Sequence, residues 1–119
     1  MVNTSPRGSR DADLVVQASE GAARVVCCSV GQLIALTRRA AVVVASDTGP
    51  LHLAAALQRP VVGIYGPTDP TRNGPYGTRS RVLRDAGSVT SHKRVRDVEA
   101  GMLRIEVDEV VAAAMEMLG

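Results

Sequence analysis

The sequence is almost without aromatic side chains. Tyr65 and Tyr76 are its two tyrosines, and phenylalanine and tryptophan are absent. A core must therefore be built from Val, Leu, Ile and Ala. The same scarcity argues against a binder of single-stranded nucleic acid, which needs aromatic platforms for base stacking. Cysteine is scarce too, with Cys27 and Cys28 adjacent. Neighbours on a strand point to opposite faces and rarely bridge. No second Cys or His cluster supplies metal-ligand spacing, so no metal site is expected. The pair reads as buried structural thiols in a reducing cytosol. Long apolar runs are missing as well. A run such as Ala40–Ala45 falls far short of the roughly 20 residues a membrane span requires. The polar stretch Met1–Arg10 lacks the apolar segment of a signal peptide.

What is present describes a small globular domain. The chain has 119 residues, of which 45% are apolar, enough for a core and too many for a disordered segment. The net charge of +2 is modest and scattered, which excludes a dedicated nucleic-acid surface. The basic pairs Arg38-Arg39 and Lys93-Arg94 read as solvated faces, with contact to phosphates or anionic lipid heads as the alternative.

Met1–Arg10, rich in Ser, Pro, Gly and Arg, reads as a flexible leader, and 11–119 as one domain. Asp11–Glu20 carries a helical period at Leu14, Val15 and Ala18, stopped by Gly21. Arg24–Cys28 is a strand candidate. Ser29 can cap a helix over Val30–Arg39, with Arg38 and Arg39 in the last turn, where the dipole favours cations. Ala41–Ala45 is continuous and β-branched, the pattern of a strand covered on both faces. A turn, Ser46-Asp47-Thr48-Gly49-Pro50, leads into a helix over Leu51–Leu57 that must end before Pro60. Val61–Tyr65 is the next buried strand. Strand, helix, strand with this crossover is a βαβ unit, so the two strands should be parallel. Gly66–Ser80 has no hydrophobic period and holds three prolines and three glycines; loops of more than about 12 residues are usually functional or disordered. Arg81–Arg84 is a short strand candidate, and Asp85–Arg96 is polar and loop-like. Asp108 can cap a final helix over Glu109–Leu118, with Val110, Val111, Ala114, Met115 and Leu118 on one face. The fold class expected is α/β, a Rossmann-like parallel sheet flanked by helices.

In such a sheet ligands bind beyond the carboxyl ends of the strands. Two loops leave strands there: Ser46–Pro50 and Gly66-Pro67-Thr68-Asp69-Pro70. The first opens into a helix, and the N–H groups of Thr48, Gly49, Leu51 and His52 would face a ligand. A helix N-terminus carries about half a positive charge and suits a phosphate or diphosphate. Gly49 permits close backbone approach, and Pro50 is shaped for the first helical turn. The plainer reading makes Asp47 or Thr48 an ordinary N-cap. Asp47, an anion, would repel phosphate and is expected to shape the turn. His52 lies in the first helical turn, as a packing residue or as a neighbour of the anion. In the second loop Thr68 can bond a phosphate or sugar and Asp69 can accept from sugar hydroxyls; a rigid structural loop is the alternative. Tyr76 suits a pocket lining or simple packing. His92 has no visible partner and receives no role.

These residues bring a family into view. Ala45-Ser46-Asp47-Thr48-Gly49-Pro50-Leu51-His52-Leu53-Ala54-Ala55-Ala56-Leu57 resembles the strand–turn–helix signature of family 9 glycosyltransferases, the heptosyltransferase type. Pro60-Val61-Val62-Gly63-Ile64-Tyr65-Gly66-Pro67-Thr68-Asp69-Pro70 resembles a second signature, and Gly74-Pro75-Tyr76-Gly77 a third run. Gly101–Ile105 and Asp108–Val110 are similar to the family's closing segment, with Gly101 where a Cys is usual. The resemblance implies the C-terminal half of a two-domain GT-B fold. It implies an ADP-heptose-like nucleotide-sugar donor and a lipopolysaccharide core acceptor, with inverting transfer and no cofactor or required metal. It places Asp47, Thr48, Gly49, Pro50, Leu51 and His52 on the donor diphosphate segment, and Gly66, Thr68, Asp69 and Tyr76 on a pocket loop. The general base is expected in an N-terminal half that these residues do not include. A cytoplasmic protein, at most peripheral to the inner membrane, is implied. A catalytically inactive nucleotide- or phosphate-binding fragment is the alternative function.

Overall fold

The structure is a computed structural model, and it describes residues 1–66, 74–75, 77–84 and 105–119. The chain divides into two compact units, 1–36 and 37–119.

In the first unit, β1 (Val2–Asn3) and β2 (Val25–Val26) pair in parallel, with α1 (Arg10–Ala18) between them in sequence. Val2–Asn3 lies within the segment expected to be a leader. Two residues carry no readable period, so pairing with β2 rather than pattern makes this strand. The Ser9 side chain caps α1 by accepting from the Ala12 N–H, and Asp11 and Asp13 face the positive end of its dipole. Ala12 is the buried position of α1, whereas Leu14 and Val15 are half exposed. The apolar stripe read from Leu14, Val15 and Ala18 is thus not the buried face. Glu20 and Gly21 both take positive φ, and the chain turns there as the glycine suggested. The expectation of buried thiols is corrected: both cysteines are free, Cys27 exposed and Cys28 partly so. The reason is that β2 ends at Val26, one residue before them.

Next in sequence, α2 spans Val30–Arg39. Ser29 caps it in both directions: its Oγ accepts from the Gln32 N–H, and its own N–H donates to Gln32 Oε1.

The second unit holds a three-stranded parallel sheet in the order β3 (Val43–Ser46), β4 (Val61–Ile64), β5 (Ser80–Leu83). Helix α3 (Gly49–Ala56) joins β3 to β4, and α4 (Val107–Leu118) closes the unit. Strand β4 explains the core. Side chains alternate between the two faces of a strand. Val61 and Tyr65 pack with Leu51 and Ala54 of α3 and with Val43 and Ala45 of β3. Val62 packs on the opposite side with Ala113 and Met117 of α4. Both faces of β4 are therefore covered, which requires its unbroken apolar run. Strand β3 differs from expectation, because Val44 remains 44% exposed. Helix α4 lies on β4 and β5 and leaves that face of β3 uncovered.

Helix α3 ends in a Schellman arrangement, with Arg59 N–H on Ala54 O and Gln58 N–H on Ala55 O. Gln58 takes the left-handed φ of 57° that glycine usually supplies, and Pro60 forbids continuation. Helix α4 starts one turn-corner earlier than expected. Its N-cap is Glu106 rather than Asp108, in a reciprocal capping box with Glu109. Its buried face is Ala113 and Met117, with Ala114 alongside, while Val111, Met115 and Leu118 point outward. Arg79 donates to Glu116 O and fastens the last turn of α4 beside the start of β5. Among the described residues no helix is long and apolar enough to cross a membrane.

Gly63 sits where β4 passes under α3. A Cβ there would lie 2.8 Å from Tyr65 Cε2 and 3.2 Å from Leu51 Cδ2. Gly63→Ala is expected to cost about 1–3 kcal/mol through overpacking, read from chemical denaturation midpoints. An unchanged midpoint would show that the Tyr65 ring moves aside freely.

Candidate functional site

Register aligns the strand ends. Ser46 of β3 pairs with Ile64 of β4, which pairs with Leu83 of β5. Asp47, Tyr65 and Arg84 therefore follow directly on three parallel strands at one carboxyl edge, the edge where α/β sheets bind ligands. Tyr65 is fully buried, and its N–H donates to Leu83 O at 2.8 Å, so the pairing extends past the strand end.

The turn after β3 is unusual in how it begins α3. Thr48 is the N-cap, with extended φ and ψ of −141° and 169°, yet its side chain makes no cap bond. Instead its Oγ1 donates backwards to Ser46 O at 3.1 Å. Pro50 brings no N–H. The N–H groups of Leu51 and His52 donate to Thr48 O. Of the four N–H groups expected to face a ligand, two are thus used inside the first turn. The other two, on Thr48 and Gly49, find no acceptor among the described residues. Both residues are exposed. A Cβ at Gly49 would meet nothing within 4 Å among the described residues.

Asp47 and His52 form a clamp across this turn. His52 Nε2 lies 2.6 Å from Asp47 Oδ1, with the His side chain 42% and the Asp side chain 15% exposed. A carboxylate oxygen only accepts, so the proton of this bond sits on Nε2. Asp47 Oδ1 is thereby engaged by His52 across the turn. With the His52 side chain 42% exposed, water screens the pair and its contribution to folding is small. His52→Ala is expected to change stability by less than about 1 kcal/mol, measured by denaturation followed by circular dichroism. A larger loss would make the clamp a structural element of α3.

Gly66, from the second predicted loop, is buried at the end of β4. Thr68, Asp69 and Tyr76 lie outside the described residues, as does His92. Gly74 and Pro75 are described and buried. One residue escaped sequence reasoning. Arg84 donates from Nε to Gly66 O at 3.0 Å and so ties the exit of β5 to the exit of β4. The signal was available: once 81–84 is read as a parallel strand, its last residue must fall on the ligand edge. Among the described residues no group of three or more His, Cys, Asp or Glu is placed to hold a metal ion.

A profile of the family described as "Glycosyltransferase family 9 (heptosyltransferase)" matches residues 13–102. The chain belongs to glycosyltransferase family 9. Its relatives include lipooligosaccharide heptosyltransferase 2 of Haemophilus influenzae, 29% identical over 90 residues that make up 76% of this chain and 26% of that protein. Lipopolysaccharide heptosyltransferase 2 of Escherichia coli K12 is 36% identical over 69 residues, 58% of this chain and 19% of that one. Among solved structures, the family 9 glycosyl transferase of Veillonella parvula superimposes with a TM-score of 0.75 at 27% identity, over 98% of this chain and 35% of that one. The E. coli ADP-heptose lipopolysaccharide heptosyltransferase II has the same fold, with a TM-score of 0.76 at 23% identity. The chain thus spans about a quarter of the length of the first curated relative and about a third of the solved ones. The expected fold class holds: parallel strands flanked by helices, forming part of the GT-B architecture of family 9.

Proposed function

We propose that this chain is the donor-binding part of a heptosyltransferase-like glycosyltransferase. The tip of α3 holds the diphosphate of an ADP-heptose-like nucleotide sugar. The observation that carries this reading is the pair of N–H groups on Thr48 and Gly49, unengaged among the described residues at the carboxyl edge of a parallel sheet, where a Cβ at Gly49 would meet no described atom within 4 Å. Asp47 shapes the turn and is held by His52, while Pro50 and Leu51 set the first helical turn.

The reaction follows from that placement. In an inverting transfer, the acceptor hydroxyl forms a bond to the anomeric carbon as the bond from that carbon to the diphosphate oxygen breaks. The electron pair leaves with ADP, and a general base takes the hydroxyl proton. The helix tip offers preorganised N–H donors and a positive dipole where the charge of the leaving diphosphate grows. The base and the site for a lipopolysaccharide core acceptor belong to the part of the relatives that this chain does not span. The same reading puts the working enzyme in the cytoplasm, at the inner surface of the membrane that carries its acceptor.

The second reading, which the same unengaged N–H groups of Thr48 and Gly49 support, is a nucleotide- or phosphate-binding module without transfer activity. Calorimetric titration of ADP into the chain tests what the two share. Saturable one-to-one binding supports both, and sugar transfer to a lipopolysaccharide core acceptor by the chain joined to the acceptor half of a family 9 relative separates them. Absence of ADP binding removes both.

A further inference from the structure

The third strand exit carries a residue that neither the motif nor the helix tip accounts for. Arg84 follows β5 directly, on the same edge and in the same register row as Asp47. Arg84 is partly buried. Nε donates to Gly66 O at 3.0 Å in a partly buried contact between residues 18 apart in sequence. Gly66 is buried, and its carbonyl is the last described one before the chain enters the segment 67–73. Tyr65 N–H to Leu83 O, one step earlier, already ties the same two strands. The Arg84 bond adds a side-chain tie one step further along the same edge.

We propose that Arg84 is a positioning residue of the donor site. This rests on the donor-site reading above. By holding the Gly66 carbonyl, Arg84 fixes where the chain leaves β4 relative to the tip of α3. A hydrogen bond from a charged donor is among the stronger ones available. Arginine suits the task because its Nε–H lies in the plane of a rigid guanidinium, so the bond to the carbonyl has a fixed direction. Lysine would supply charge and a single donor point.

The test uses the whole chain with ADP as the probe and two variants. Arg84→Met keeps the length of the stem and removes the donor and the charge. Arg84→Lys keeps a charged donor. ADP affinity is measured by calorimetry beside thermal melting of each protein. Arg84→Met is expected to weaken ADP binding about tenfold, with melting nearly unchanged, and Arg84→Lys to recover part of the loss. The Gly66 carbonyl carbon resonance should shift in ligand-free Arg84→Met.

Wild-type binding that Arg84→Met leaves within about twofold overturns the assignment alone. So does a loss that simply follows a fall in melting temperature and is not relieved by lysine. If the wild-type chain binds no ADP, the donor-site reading beneath the proposal is what fails.

Discussion

Gly49→Leu is expected to weaken ADP binding by about a hundredfold while leaving the fold as stable as before or slightly more so. The two effects have separate causes. Gly49 is the first helical residue of α3, without positive φ, and a Cβ there meets nothing within 4 Å among the described residues. Replacing glycine within a helix gains up to about 1 kcal/mol from reduced chain entropy and better propensity. The same leucine would cover the Thr48 and Gly49 N–H groups. Losing two hydrogen bonds to a charged ligand amounts to about 3 kcal/mol or more, which is the hundredfold. Calorimetry and thermal melting of one variant read both quantities. Equal affinity in the variant would place the nucleotide elsewhere. A collapse in melting temperature would mean that the glycine serves the fold.

The largest effect on stability is expected one turn deeper. Leu51 is fully buried and packs with Val61, Tyr65 and Ala54 and against Val43 and Ala45. Leu51→Ala removes the side chain that joins α3 to β3 and β4. The expected cost is about 2–5 kcal/mol, a large share of the roughly 5–15 kcal/mol that stabilises a typical domain. Chemical denaturation measures it. Met115→Ala is the matching control, since Met115 is 63% exposed on α4 and should cost less than about 0.5 kcal/mol. A reversal of the two values would show that α4 is turned the other way.

The contrast between those residues shows what was legible in the sequence. The β3–α3–β4 unit was readable because its signals agree. Val61-Val62 is apolar at every position because both faces of β4 are covered, and Pro50 and Pro60 bracket the crossover helix. Parallel pairing followed from the crossover length alone. Helix α4 was readable as a helix and misread as a face. Its apolar residues run nearly all the way round, so periodicity could not choose between Ala113 with Met117 and Val111 with Met115. Contact with Val62 made the choice. The cap moved to Glu106 for a related reason: a glutamate paired with Glu109 does the work that Asp108 seemed suited to. Strand β1 carried no signal, since two residues cannot show a period.

The site was legible as a place more than as an arrangement. Topology put Asp47–His52 and Gly66 at one edge before any coordinates. It did not reveal that Thr48 turns its hydroxyl back to Ser46, or that Leu51 and His52 spend their N–H groups on Thr48 O. Those are local backbone choices, decided within a kcal/mol or so. The edge position of Arg84 was readable from its place at the end of a parallel strand, but its bond to the Gly66 carbonyl was not, because that depends on the register of β5 on β4.

The account depends on a diphosphate meeting the Thr48 and Gly49 N–H groups. A titration of the 15N-labelled chain with ADP, followed by amide NMR, reads those two groups directly. The largest shifts should fall on Thr48 and Gly49, with smaller ones at Asp47 and His52. Saturable shifts confined to other residues, with Thr48 and Gly49 unmoved, would contradict it.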